Sequence, residues 1–231
     1  MYVFFQVRNA GTWAGNLMVF LHYTSFPSDA VIALATANAC LQLCSADGEI
    51  FTIDMGTFLN MDYASFLSQG SIILSMSITE PRLSADNSVL VAETFKVAQR
   101  TANAHAHVNC GFQFSISYQR QQEQPDMVYP VCTYARIVIG GVSKKTFIAS
   151  RTESALTNAF VCASTLGNAL AALDIDLLET GESQQFGNQS FRKSVMQTCL
   201  YRALLKCYPV LQLPQNLLSA VQPWVKPASR G

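Results

Sequence analysis

Hydrophobic and polar residues alternate over much of the first 150 residues. The clearest runs are SIILSMSIT at 71–79 and FQFSISY at 112–118, in which large apolar residues recur at every second position. A period of two is typical of half-buried antiparallel strands. Further apolar segments that predict strands are YVFFQVR, NLMVFLHYT, EIFTID, VLVAETFKVA, VCTYARIVI and TFIA. We therefore predict an α+β protein whose antiparallel, β-rich body covers residues 1–150, with a sandwich or jelly roll as one candidate arrangement.

The segment over residues 28–44 carries two competing patterns. It is rich in alanine, which has the highest intrinsic helix propensity. Its last part, however, alternates Leu41 and Leu43 with polar or small residues. We predict a helix over residues 28–44.

The period of the apolar residues changes near residue 150. Ser150 and Glu153 form the S-x-x-E pattern of a capping box, and leucines then recur at helical spacing until Gly181. This pattern predicts a helix over residues 152–180. A second amphipathic run predicts another helix over residues 190–208.

The last residues, 209–231, have the pattern of an extended arm. Four prolines are interleaved with apolar side chains in this segment. Because proline supplies no backbone N–H to a sheet, the segment must lie on an apolar surface. We predict that this arm contacts a neighbouring subunit and is anchored by Leu217, Leu218 and Trp224.

Composition indicates that much of the surface is covered. Half of the residues are hydrophobic and only 13% are charged, against roughly 25% in an ordinary soluble domain. No repeat or linker divides the sequence, so we predict one compact domain over residues 1–208, helical over 151–208, followed by the arm. The long uncharged runs contain prolines or several polar residues, so no transmembrane segment is predicted.

Charge is unevenly distributed along the chain although its formal net charge is zero. Residues 1–126 carry five Lys and Arg against ten Asp and Glu, whereas residues 127–231 carry ten against five. A polarised chain is suited to contact between copies, or to binding a polyanion such as nucleic acid without sequence specificity. The cations predicted to form this face are Arg136, Lys144, Lys145, Arg151, Arg192 and Lys193.

No residue pattern indicates a catalytic, cofactor or metal site. His105 and His107 lie close to Cys110, but no H-E-x-x-H or paired C-x-x-C accompanies them. A nucleophilic thiol would require Cys110 or Cys132 beside one of these histidines. We predict no metal, no cofactor and no enzymatic activity. The seven cysteines, without a signal peptide before them, predict reduced thiols made in a reducing cytoplasm.

Scant charge, a polarised remainder and an apolar arm are together typical of a subunit that buries its surface against copies of itself. We interpret the chain as a structural subunit of a large polymer, a viral coat or capsid protein located in the virion. Its partners would be its own copies or sister coat proteins, with nucleic acid as a further partner. Two alternatives stay open: an enzyme with a dispersed cysteine and histidine site, and an α/β protein that inserts into membranes after a conformational change.

Overall fold

The computed structural model describes residues 9–78, 88–100, 104–121, 124–180, 189–208 and 215–218. These residues form a mixed α+β structure with two antiparallel sheets, which confirms the predicted α+β class. The sandwich or jelly-roll arrangement stays a prediction. The helices are α1 (Trp13–His22), α2 (Asp29–Thr36), α3 (Met55–Leu59), α4 (Tyr63–Ser68), α5 (Ser150–Leu156), α6 (Ala163–Glu179) and α7 (Gln189–Leu205). The strands are β1 (Cys40–Cys44), β2 (Ile50–Asp54), β3 (Ile72–Ser77), β4 (Ser88–Val97), β5 (Val108–Gln121), β6 (Gln124–Gly140), β7 (Phe147–Ile148) and β8 (Ala159–Phe160).

The first sheet has three strands in the order β2-β1-β3. Leu41 and Leu43 of β1 are fully buried in a core that includes side chains of α1 to α4. In this core Phe20 of α1 stacks on Phe58 of α3, with 6.2 Å between the ring centroids. Full burial of such a side chain stabilises a fold by roughly 1.5–3 kcal/mol, so this pair holds α1 against α3.

The segment NLMVFLHYT lies mostly in α1, so its prediction as a strand is wrong. Leu17, Phe20 and Leu21 are buried, and this spacing marks one face of a helix. The helix begins after Thr12, whose side chain accepts a hydrogen bond from the N–H of Gly15 at 2.9 Å. The period is hidden in the sequence because nearly the whole segment is apolar, and such runs do not separate helix from strand.

The helix predicted over residues 28–44 is correct only as far as Thr36. Asn38 has a φ of 52°, in the left-handed region that asparagine tolerates better than most residues. The chain turns there and continues as β1. The alternation of Leu41 and Leu43 in the sequence was the signal of this strand.

Strand β3 is confirmed, but its buried face differs from the predicted one. The alternation predicts that one face of the strand carries Ile72, Leu74, Met76 and Ile78. Three of these four residues are exposed: Ile72 by 58%, Leu74 by 43% and Ile78 by 55%. Ile73 and Met76 pack against the core instead. The pairing of β1 with β3 shifts in register between Gln42 and Leu43. An extra residue in one strand moves the side chains beyond it to the opposite face of the sheet.

The second sheet has five strands, with β4-β5-β6-β7 in order and β8 beside β6. The predicted strands of this part of the chain are confirmed. Phe112, Phe114 and Ile116 of β5 are fully buried against α5, α6 and α7 in the larger core. Just beyond α7, Lys206 forms an ion pair with Glu93 of β4 and ties the end of the helix to the sheet.

The single helix predicted over residues 152–180 is two helices, α5 and α6, with β8 between them. Asn158, with a φ of 60°, lies in the turn after α5. The helix predicted over residues 190–208 is confirmed as α7.

The predicted capping box at Ser150 and Glu153 does not form. Glu153 accepts a hydrogen bond from the N–H of Ile137 at 2.7 Å. The first turn of α5 is capped from α6, where Asp176 accepts the N–H of Thr152 at 2.9 Å and its hydroxyl at 2.7 Å. A carboxylate from another helix therefore replaces the local cap.

Helix α2 lies on the opposite face of the second sheet, where two glycines let it approach closely. A Cβ on Gly111 of β5 would overlap the side chain of Thr36, and one on Gly140 of β6 would lie 3.3 Å from Ile32 Cδ1 of α2 and overlap Oδ1 of Asn109 on β5. Val138 of β6 is buried in the core of the first sheet. The two sheets thus meet through α2.

Several predicted features fall outside the described residues. The segment YVFFQVR and Trp224 lie there, as does most of the arm. Leu217 and Leu218 are half-buried in and after a short 3₁₀ turn. The compact domain over residues 1–208 and the arm over 209–231 stay predictions.

Candidate functional site at the amino ends of two helices

The amino end of α1 is exposed, although one face of the helix further along is buried. Thr12 and Trp13 are exposed there. The first N–H groups of a helix have no acceptor within the helix. Thr12 satisfies the N–H of Gly15 with its side chain and that of Asn16 with its carbonyl oxygen, at 3.1 Å. The N–H groups of Trp13 and Ala14 belong to this first turn, at the positive end of the helix dipole, where an anion binds favourably.

Gly15 keeps this helix end open. A Cβ at this position would lie 2.9 Å from Thr12 Oγ1, and a larger side chain would cover the first turn. The first turn also contains no acidic residue. The sequence T-W-A-G-N at 12–16 therefore suits a phosphate group.

The amino end of α2 is joined to the first turn of α1 through one hydroxyl. Ser28 is only 2% exposed. Its Oγ accepts the N–H of Val31 at 3.2 Å as the cap of α2, and the same hydroxyl donates to Oδ1 of Asn16. The orientation of Asn16 thus depends on where α2 begins.

The second sheet holds the start of α2 from two strands. Lys96 Nζ of β4 lies 2.6 Å from Asp29 Oδ2. Asn109 Nδ2 of β5 lies 3.0 Å from Asp29 Oδ1 and 3.0 Å from the carbonyl oxygen of Pro27. We name this cluster the polar network; its members are Asn16, Ser28, Asp29, Lys96 and Asn109.

The six cations predicted to form one face do not share one environment. Lys144 and Lys145 are exposed between β6 and β7. Three others form ion pairs within the chain: Arg136 with Glu153, Arg151 with Glu179 and Lys193 with Asp174. All three pairs lie within residues 127–231, so they leave the excess of positive charge in that part of the chain unchanged.

The sixth cation, Arg192, is buried. It is 2% exposed, and its Nη1 donates to the carbonyl oxygens of His107 and Gly141. Its Nη2 lies 3.3 Å from His107 Nδ1. Burial lowers the pKa of the Arg192 guanidinium. The side chain binds backbone inside the protein and is not available to an external polyanion.

The cysteine and histidine residues weighed as a catalytic or metal site do not converge. Cys110 and Cys132 are fully buried. Burial raises the pKa of the Cys110 thiol, and that of Cys132 to about 12. His105 is exposed beside an aromatic ring, whereas His107 faces a buried guanidinium. A buried, protonated thiol is a poor nucleophile, so these residues form no active site.

Two negative findings concern the described residues. Within them, no group of three or more His, Cys, Asp or Glu is placed to hold a metal ion. No helix in these segments combines the length and hydrophobicity needed to cross a bilayer.

The thiol of Cys162 differs from the buried ones. It is exposed immediately before α6, 3.1 Å from Ser164 Oγ and 3.3 Å from Thr165 Oγ1. The hydrogen bonds from Ser164 and then Thr165 lower its pKa to about 7. The sequence offered a signal that we did not use, a cysteine followed by two hydroxyl residues at the start of a helix.

Sequence reasoning also missed the site at α1. The segment NLMVFLHYT, residues 16–24, was assigned to a strand, so the threonine and glycine just before it were not recognised as a helix cap and first turn. A helix prediction there would have placed T-W-A-G-N at a helix end, which is a known position for anions. Asp29, Lys96 and Asn109 are too far apart in sequence to be grouped without the structure.

Two protein-family models match the chain one after the other. The model described as the FAD binding domain in molybdopterin dehydrogenase matches residues 4–81. The model described as the CO dehydrogenase flavoprotein C-terminal domain matches residues 93–207. The first includes α1 to α4 with the first sheet, and the second includes most of the second sheet with α5 to α7. Among curated protein sequences the chain finds no match.

Solved structures show the same similarity in three dimensions. Quinoline 2-oxidoreductase from Pseudomonas putida 86 is 22% identical with a TM-score of 0.63, over 89% of this chain and 63% of its own. Carbon monoxide dehydrogenase from Hydrogenophaga pseudoflava is 18% identical with a TM-score of 0.65, over 88% and 62%. CO dehydrogenase from Oligotropha carboxidovorans is 16% identical with a TM-score of 0.60, over 87% and 62%. This chain therefore spans less than two thirds of the length of these neighbours.

These matches overturn the interpretation of the chain as a capsid protein. Both family models describe parts of dehydrogenases and the structural neighbours are bacterial oxidoreductases, so the predictions of no enzymatic role and of a place in the virion are wrong. The prediction of coat-protein copies and nucleic acid as partners is wrong for the same reason. The enzyme alternative was nearer, although its cysteine and histidine site does not form. The chain has the fold shared with chains of carbon monoxide dehydrogenase and quinoline 2-oxidoreductase, and its two parts are similar to the FAD-binding and C-terminal domains of such flavoproteins.

Proposed function

We propose that the chain is an FAD-binding flavoprotein component of a molybdopterin-dependent dehydrogenase, and that it binds the diphosphate of FAD at the amino end of α1. The observation that supports this most directly is the match of the FAD-binding model to residues 4–81. Residues 4–81 include the amino end of α1. Among the described residues, this is the only exposed helix end with a threonine cap, a glycine in the first turn and no acidic residue in that turn.

The residues present fit a dinucleotide diphosphate. Thr12 caps the first turn of α1 and Gly15 leaves it uncovered. The N–H groups of Trp13 and Ala14 are first-turn donors that have no acceptor within the helix. Main-chain donors at a helix end bind phosphate without a bulky side chain between them. Asn16 lies in the same turn and offers an amide to the remainder of the nucleotide. When bound, FAD would supply the redox group that accepts and passes on electrons.

The partner that follows from this function is a component carrying a molybdopterin cofactor. The name of the matching family includes molybdopterin dehydrogenase, and one similar structure is described as lacking the Mo-pyranopterin moiety of its molybdenum cofactor. In the proposed arrangement the partner oxidises the substrate and this chain receives the electrons. Substrate identity would then be set by the partner, since FAD itself is not specific for an organic substrate.

Titration of FAD with the full 231-residue chain tests the proposal. We expect quenching of flavin fluorescence to saturate at one FAD per chain, with riboflavin, which lacks the diphosphate, binding at least about tenfold more weakly, a factor that corresponds to 1.4 kcal/mol.

Gly15→Val supplies the matched test of location. Valine should cover the first turn of α1 and raise the dissociation constant for FAD about tenfold or more. Gly167→Val is the control, because a Cβ on Gly167 of α6 would meet nothing within 4 Å. A chain that leaves flavin fluorescence unchanged, or that binds riboflavin as well as FAD, would contradict the proposal.

A further inference from the structure

We propose that Asn109, on the second sheet, is a positioning residue for the FAD site, a role that rests on the proposed function. Asn109 lies in the part of the chain matched by the C-terminal family model, whereas α1 and α2 lie in the part matched by the FAD-binding model. Its amide would fix the start of α2 and, through Ser28 and Asn16, the first turn of α1.

Three paired strand positions support the contact between Asn109 and the start of α2. Lys96 of β4 pairs with Asn109 of β5, and Asn109 pairs with Gly140 of β6. Residues directly opposite one another in antiparallel strands project to the same face of the sheet. A Cβ on Gly140 would overlap Oδ1 of Asn109. The absence of a side chain at position 140 therefore leaves the space that the amide occupies.

The amide of Asn109 is held in one orientation. The residue is 1% exposed, and its Nδ2 donates to the carbonyl oxygen of Pro27 and to Asp29 Oδ1, both at 3.0 Å. Its Oδ1 is buried and, within the described structure, has no hydrogen-bond partner. A buried unpaired acceptor is unfavourable. An amide that leaves its acceptor unpaired while using both donors is arranged for position rather than for maximal stability.

Pro27 and Asp29, which accept the two hydrogen bonds from Asn109, lie on either side of Ser28 in the sequence. With Pro27 and Asp29 fixed, the Ser28 hydroxyl is directed to cap α2 and to donate to Asn16. Lys96 holds the second oxygen of Asp29, which prevents the carboxylate from rotating away. Strand β5 therefore fixes the first turn of α1 in two steps: Asn109 holds Pro27 and Asp29 by hydrogen bonds, and Ser28, which lies between them in the backbone, holds Asn16.

Two variants disturb this amide from opposite sides. Asn109→Asp is isosteric but removes both N–H donors and places a carboxylate against Asp29. Gly140→Ala keeps Asn109 but fills its space. Each should raise the dissociation constant for FAD about tenfold, the factor that 1.4 kcal/mol represents. If Asn109→Asp fails to fold, Gly140→Ala decides alone.

The controls repeat the same chemical changes elsewhere. Asn168→Asp and Gly167→Ala alter exposed positions of α6, and should leave the dissociation constant within about twofold of the wild type. Leu156→Ala removes a fully buried side chain of α5 and provides a chain of reduced stability. Dissociation constants are measured well below the unfolding temperature of every variant, so that an unfolded population does not contribute to them.

The outcomes separate this inference from the proposed function. Wild-type chain that does not bind FAD would overturn both. Wild-type chain that binds FAD, with Asn109→Asp and Gly140→Ala binding equally well, would overturn only the role of Asn109. Weakening by Leu156→Ala to the same extent would show that binding follows general stability, and would also overturn it.

Discussion

The two sheets differ in what covers them. In the second sheet, β5 is buried on one face by α7 and on the other by α2. In the first sheet one face packs on helices, but several large side chains of its strands are exposed, namely Ile50, Ile72 and Leu74. The open helix end of α1 lies in this first region as well. We call the described residues of 88–208 the framework and those of 9–78 the binding region, because the proposed FAD site lies in the latter.

The boundary between the two regions is polar rather than apolar at one point. Lys96 and Asn109 of the framework contact Asp29 of the binding region, next to the close packing of α2 on Gly111. Even a region with a small core of its own can hold a binding site in one geometry if a rigid neighbouring region fixes its position. We therefore expect framework mutations away from Asn109 and Gly140 to reduce stability, and mutations near α1 to reduce binding.

The largest expected effect comes from emptying either core. Phe112→Ala in the framework and Phe58→Ala in the binding region each remove a fully buried ring, so each should lower the free energy of unfolding by about 3–5 kcal/mol in urea denaturation. Only Phe58 stacks on α1, through Phe20. Phe58→Ala should therefore also weaken FAD binding at a temperature where both variants are folded, and equal weakening by Phe112→Ala would erase the contrast.

The next effect concerns the polar support inside the framework. Asp176 of α6 is 6% exposed and accepts three hydrogen bonds, from the N–H of Arg151 and from the N–H and hydroxyl of Thr152. Asp176→Ala should lower the free energy of unfolding by about 2–3 kcal/mol, because it leaves the first turn of α5 without its cap. FAD affinity should not change. Asp176→Asn keeps one acceptor oxygen and should cost less, and equal losses for both variants would show that volume rather than hydrogen bonding matters.

The sequence predicted the framework far better than the binding region. Strands such as β5 alternate cleanly because one face meets an apolar core, and α7 shows a helical period because one face meets the sheet. The segment of α1 is apolar on nearly every side, so its period is unreadable. The polar network depends on contacts between residues about 80 positions apart, such as Asn109 with Asp29. Long-range pairing of this kind leaves no local pattern in a single sequence.

Composition misled the functional interpretation for a physical reason. Scarce charge was attributed to contacts between many copies, yet five of the described cations form ion pairs within the chain. One of these pairs, Lys206 with Glu93, joins the basic second part of the sequence to the acidic first part. Exposed aliphatic residues on the first sheet, such as Ile72, account for further apolar content without a capsid lattice.

A smaller, pH-dependent effect distinguishes two glutamates of the framework. Burial raises the pKa of Glu153, more than its hydrogen bond from Ile137 and the nearby Arg136 lower it. A carboxyl group whose pKa is higher in the folded than in the unfolded state stabilises most below the unfolded pKa. That contribution is lost as pH rises through the folded value, which here lies above 4.5. Glu153→Gln should therefore gain stability relative to the wild type as pH rises from about 4 to 7.

Glu179→Gln is the opposite control in the same measurement. The exposed Glu179 is held by Arg151, which lowers its pKa. Its contribution is present above the unfolded pKa and is lost as pH falls through the folded value. Unfolding curves collected across this pH range should thus show trends of opposite sign for the two variants. Parallel trends would contradict the assignment of a buried carboxyl to Glu153.

The smallest expected effect on stability is at Cys162, at the rim of the framework. The thiol is exposed and its pKa is lowered to about 7 by hydrogen bonds from Ser164 and Thr165. Because the thiolate is the reactive form, alkylation of Cys162 by iodoacetamide should be half-maximal near pH 7. The buried Cys110 and Cys132 should react only on unfolding.

Two variants test this assignment. Cys162→Ser should change the free energy of unfolding by less than about 0.5 kcal/mol while abolishing the fast reaction, and Ser164→Ala should move the midpoint of the alkylation rate to higher pH. Peptide mapping by mass spectrometry identifies the labelled cysteine, and fast labelling of Cys110 in the folded chain would contradict the closed framework that the comparison describes.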